Sequence, residues 1–105
     1  MARVLAVAAD LMLASRVEGS LRAAGHEVTV ASTLPESVDA DVVVCDLDAV
    51  DAAAVVATGL PALGFYSHVD VEARRRAQEA GIDVVVPRSR MARELPELVE
   101  RLLGR

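Results

Sequence analysis

A single aspartate, Asp46, ends the most apolar run of the chain, Val42-Val43-Val44-Cys45. A carboxylate at the end of a buried strand can accept a phosphoryl group or hold a cation, and either use needs positive charge facing it. All eleven basic residues are Arg and none is Lys, so any permanent cation opposite Asp46 is a guanidinium. Arg88 follows Pro87 directly after another apolar run, Val84-Val85-Val86; Asp46 is expected either to be solvated or to pair with Arg88, and a pairing would take the forked form that guanidinium and carboxylate favour.

Other polar groups invite chemistry less strongly. Ser67, His68 and Asp70 contain the residue types of a hydrolytic triad, but such groups converge from separate elements rather than from one short segment. No Gly-x-Ser-x-Gly turn is present, and helix capping is the expected use of Ser67 or Asp70. Ser89, with Arg90 and Arg93 behind it, offers an anion site at a helix N-terminus. Cys45, the only cysteine, excludes an internal disulfide and any multi-cysteine metal site, and reads as an inert buried thiol.

The elements that must position these groups alternate. Val4 to Ala8 is a continuous apolar run, the pattern of a strand covered on both faces. Asp10 is placed to cap a helix whose stripe is Leu13, Val17 and Leu21, ending near Gly25. His26 to Val30 alternates polar and apolar, as an edge strand with one wet face does. Residues 32–40, with Pro35, allow a loop or one helical turn, and residues 49–57 a short Ala-rich helix. A strand over Ala62 to Phe65 leads to a helix with Ala73, Ala77 and Ala80 on its stripe, closed by Gly81. The last strand, Val84 to Val86, precedes a helix bearing Met91, Leu95, Leu98, Val99 and Leu102; Pro96 predicts a kink there or a later helix start.

Five strands alternating with helices predict one α/β domain over residues 1–105, with a parallel sheet between two helical layers. Its functional edge lies beyond the carboxyl ends of the strands. The net charge of −5 argues against nucleic acid as a partner. The charge is uneven, with three Arg against nine acids in residues 1–66 and eight Arg against seven acids in 67–105. No apolar stretch is long enough for a membrane span and no signal peptide is expected, so the expected location is cytoplasmic.

The order and spacing of three segments resemble the receiver domain of bacterial response regulators, including the chemotaxis type. They are Arg3 to Val7 through Ala23 to Val28, Asp41 to Leu47, and Ala77 to Pro87. The resemblance implies a flavodoxin-like sheet of order 2-1-3-4-5, here with shortened second and third helices. It places the family's phosphoacceptor on Asp46 and its magnesium-holding acidic pair on Ala8 and Ala9, with Asp10 one place late. The switch residue falls on Tyr66, next to Ser67, and the family lysine falls on Pro87, one place before Arg88.

With alanines for the acidic pair and proline for the lysine, the expectation is an atypical or pseudo-receiver in which Asp46 is vestigial. Such a module works through protein contacts, without catalysis, metal or cofactor. A homodimer through the last strand and the last two helices is expected, since Arg74 to Arg76, Arg90, Arg93, Glu94, Glu97 and Glu100 give a mixed-charge surface. Two alternatives stand beside it. One is a working receiver phosphorylated on Asp46 with magnesium; the other is a small enzyme or ligand sensor using Asp10, Asp46, His68 and Arg88.

Overall fold

The computed structural model describes residues 2–67 and 70–104. Five strands, β1 (Arg3–Val7), β2 (Glu27–Ala31), β3 (Val42–Asp46), β4 (Ala62–Tyr66) and β5 (Val84–Pro87), form one parallel sheet of order β2-β1-β3-β4-β5. Four helices accompany them: α1 (Leu11–Ala23), α2 (Ala52–Val56), α3 (Val71–Ala80) and α4 (Arg88–Leu102). The predicted α/β class, strand order and flavodoxin-like topology are those observed. Among the described residues, no helix is long and apolar enough to cross a membrane.

Alternation along each strand divides the core into two layers. Val4 and Ala6 of β1, Val42 and Val44 of β3, and Leu63 and Phe65 of β4 face Val17 and Leu21 of α1 and Met91, Leu95, Leu98 and Val99 of α4. The opposite parity, Leu5, Val7, Val43, Cys45 and Ala62, faces Val55 of α2, Ala77 of α3 and Ile82. Asp46 shares the parity of Val42 and Val44, which directs it to the α1 and α4 side.

One open alternative closes, in favour of a loop, and two local expectations change. Residues 32–41, between β2 and β3, contain no helix at all, and the connection after β3 keeps only the five residues of α2. The shortening read from the sequence is therefore most complete between β2 and β3, where Pro35 and the lack of an apolar stripe give no helix a face to bury. Pro96 neither delays nor ends α4, which runs for 15 residues from Arg88 and holds the proline inside it. The apolar face of Met91, Leu95, Leu98 and Val99 outweighs the one missing donor to the Ala92 carbonyl. His26 is not a wet strand residue: it precedes β2, is buried, and its Nδ1 accepts the Ala2 amide at 3.1 Å. With Nδ1 accepting, the ring proton sits on Nε2, 3.2 Å from Glu100 Oε1 on α4.

Candidate functional site: the carboxyl edge of the sheet

Asp46 closes β3 at the centre of the sheet and is 4% exposed. Its Oδ1 accepts the Asp48 amide at 2.9 Å, and its carbonyl accepts the amides of Ala49 and Val50, which turns the chain sharply after the strand. Oδ2 faces Arg88, whose Nη2 lies 3.2 Å away. The same Nη2 stands 3.6 Å from Asp48 Oδ2. The forked form expected of such a pairing is thus replaced by one nitrogen set between two carboxylates. The reason is position: Arg88 is the first residue of α4, and its side chain reaches the strand end from one side, with Nε buried and without a hydrogen-bond partner among the described residues.

A third acid stands close to Asp48. Asp70 caps α3 by accepting the Ala73 amide at 3.0 Å, and its carboxyl is near enough to Asp48 to act on it. Partial burial pushes Asp48 above the ordinary carboxylate range, helped by the charge of Asp46 and by Asp70, and opposed by Arg88. Arg88 therefore stands between two carboxyls, Asp46 and Asp48, with Asp70 on the far side of Asp48. Asp48 follows Asp46 by two residues in the sequence, but nothing in the spacing announces that Asp70 stands near it.

The remaining positions fall into place around this group. Ala8 is buried just past β1 and donates its amide to the Ala31 carbonyl at 3.0 Å; Ala9 is exposed. Neither has a side-chain oxygen. Asp10 caps α1, its Oδ1 accepting the amides of Met12 and Leu13 at 2.9 and 3.1 Å. Among the described residues, no group of three or more His, Cys, Asp or Glu side chains could hold a metal ion. Tyr66 ends β4 beside Pro87 of β5 and is 7% exposed, and Ser67 follows it half-buried. His68 lies outside the described residues.

Ser89 is exposed on the first turn of α4. The arginines that were to join it in an anion site are engaged within their own helix. Arg90 pairs with Glu94 at 3.3 Å, and Arg93 donates to the Ser89 carbonyl at 3.4 Å. Cys45 is fully buried, and burial together with Asp46 pushes its thiol up to about 12, which removes it as a nucleophile at neutral pH.

No family model matches the sequence, and no curated protein matches it at a significant level. Solved structures do match. The NtrX protein of Brucella abortus is 19% identical with a TM-score of 0.84, over 98% of this chain and 27% of that one. The receiver domain of the Francisella response regulator 1452 is 18% identical with a TM-score of 0.80, over 97% of this chain and 96% of the other. The non-phosphorylated HemR receiver domain from Leptospira biflexa is 24% identical with a TM-score of 0.78, over 100% and 96%. The chain thus spans about a quarter of NtrX and nearly all of the two isolated domains. Its fold is that of response-regulator receiver domains, with Asp46 at the end of the central strand and Arg88 against it.

Proposed function

We propose that the chain is a receiver-like signalling module that acts through protein contacts and does not capture a phosphoryl group on Asp46. One observation carries this reading: the Asp46 carboxylate is buried and already paired with Arg88 at 3.2 Å, on a sheet edge whose acidic-pair positions are Ala8 and Ala9.

Phosphoryl transfer to a carboxylate loads negative charge onto the transferring oxygens, and positioned cations must stabilise it. Magnesium needs several oxygens in near-octahedral placement. Ala8 and Ala9 supply no side-chain oxygen, and the Asp10 carboxylate is used on the α1 cap. The residues present therefore do not fit the ion. Arg88 is a cation, but it is spent on the attacking group itself: Oδ2 would have to give up its ion pair to become a nucleophile. The pairing makes Arg88 a fixed substitute for an exchangeable ligand.

Incubation with acetyl phosphate and magnesium, followed by intact mass measurement, tests this. The expected result is no change in mass for the wild type. A phosphoryl adduct on the wild type that is lost in Asp46→Asn would overturn the proposal and give a working receiver that uses magnesium and Asp46.

The reading includes self-association through β5, α3 and α4. Supporting it, β5 is an edge strand with Val84 and Val85 half-buried, and Arg74 and Arg76 on α3 are exposed. Sedimentation equilibrium should give a dimer that Arg76→Glu weakens; a monomer at every concentration discards this part. Nucleic acid is not a partner in this reading, because the chain carries a net charge of −5.

A further inference from the structure

A groove of about 690 Å³ runs between α1 and α4, beginning at the carboxyl edge of the sheet. Its floor is apolar, made by Leu13, Val17, Met91 and Leu95. At its rim Met12 is 73% exposed, and the neighbouring Leu11 is 84% exposed. Large apolar side chains left in water beside an apolar groove mark a contact surface rather than a solvated face. Val17, Met91 and Leu95 lie beneath it in the core and Leu13 is half-buried, so the apolar side chains that face an occupant are chiefly Leu13 and Met12.

The charges lining the groove are unequal. Arg16 and Arg88 are both on its wall. Arg16 makes no hydrogen bond or ion pair among the described residues, and Arg88 leaves its Nε without a partner. Among the described residues the one acid on the wall is Asp10, and it is committed to the α1 cap. A second copy laid on this groove by its own groove, about a two-fold axis, would bring Arg16 against Arg16 with no uncommitted acid from the groove to offset it. An occupant with its own acids is complementary.

Arg88 belongs to two places at once. Its Nη2 holds Asp46 at 3.2 Å, while its stem lines the groove, and its side chain is 42% exposed. An acid arriving in the groove can therefore reach the guanidinium that Asp46 holds. We propose that this groove docks an acidic amphipathic helix of a partner protein, and that an acid of that helix competes with Asp46 for Arg88. The proposal rests on the reading that the chain works by protein contacts, and it names the surface and its link to the buried carboxylate. Linkage makes the competition reciprocal: whatever factor the Asp46 pair takes from the affinity, the docked helix takes from the pair.

The probe is a labelled synthetic helix of about four turns, with leucines along one stripe and glutamates beside it, followed by fluorescence anisotropy. The wild type should bind it, and should bind a lysine-for-glutamate version several-fold more weakly. Asp46→Asn should bind the glutamate helix several-fold more tightly than wild type. The amide can still accept the Asp48 N–H but no longer holds Arg88 as an anion. Arg16→Glu should weaken the glutamate helix and favour the lysine one.

Four results overturn the proposal: no binding to wild type or to Asp46→Asn; an affinity indifferent to Asp46→Asn; decanoate binding with no peptide binding, which gives the groove to a small amphiphile; or self-association that excludes the peptide, which gives it to a second copy. These outcomes are separate from the mass measurement. A phosphoryl adduct sinks the functional reading whatever the peptide does, and a silent peptide with no adduct sinks only the groove.

Discussion

Against α1 and α4 the sheet packs Val17, Leu21, Met91, Leu95, Leu98 and Val99, whereas against α2 and α3 it meets Val55, Ala73 and Ala77. The first layer has helices of 13 and 15 residues; the second has helices of 5 and 10, and bare chain over residues 32–41. Both cover the same five strands. One layer is closed by two long helices, and the other by short helices together with loop side chains such as Leu34, Val38, Leu47 and Val50. The Asp46–Arg88 pair sits on the thick side, where α4 is fixed by its apolar face and its first residue is therefore held in place.

The largest effect should come from the thick layer. Leu95→Ala removes a side chain that is 1% exposed and should cost about 2–5 kcal/mol in urea unfolding, whereas Ala77→Gly in the thin layer should cost about 1 kcal/mol. Equal losses would erase the contrast between the layers.

A sharper probe of the thin layer is Gly64, on the face of β4 turned to α2 and α3. A Cβ there would stand 2.8–2.9 Å from three side-chain atoms of Leu47, including Cγ, so Leu47 must move. Gly64→Ala should therefore cost about 1–3 kcal/mol, and the same melt should show it. A cost near zero would mean that Leu47 slides freely and that this layer is looser than its packing implies.

The smallest effect lies at the rim, where the two layers meet. The carboxyl of Asp48 is raised in the fold, so the native state binds its proton more tightly than the unfolded chain does. That contribution is present below the ordinary carboxylate pKa and is lost as pH rises through the raised value. At neutral pH the ionised Asp48 is thus a small burden, reduced by its exposure to solvent. Asp48→Asn should be neutral to slightly stabilising at pH 7, by less than about 1 kcal/mol, with the gain shrinking as the pH falls into the range where Asp48 takes up its proton. A clear loss at pH 7 would mean that the Arg88 contact outweighs the two neighbouring acids.

Much of this architecture could be read from the residues. The runs Val4 to Ala8 and Val42 to Val44, and the stripes Leu13-Val17-Leu21 and Met91-Leu95-Leu98, are periodicities that burial imposes directly, and they place Asp46 at the sheet edge without further information. The Asp10 and Asp70 caps and the Gly81 stop, at a φ of 101°, follow from local backbone chemistry as well. What escaped depends on distance in space. His26 is buried because the Ala2 amide and Glu100 meet it from two other elements, and no alternation pattern encodes that. The Asp48–Asp70 approach joins two loops, and the α1–α4 groove joins two helices far apart in the chain. Its one sequence trace was the pair Leu11-Met12, which sits just off the buried stripe of α1.

The central claim is that Asp46 belongs to Arg88. A double-mutant cycle in urea, with wild type, Asp46→Asn, Arg88→Ala and the double variant, measures that directly. Non-additivity is expected, with a coupling above about 0.5 kcal/mol because removing either partner already forfeits the pair. Two losses that simply add would contradict it, and would return Asp46 to the status of a free carboxylate.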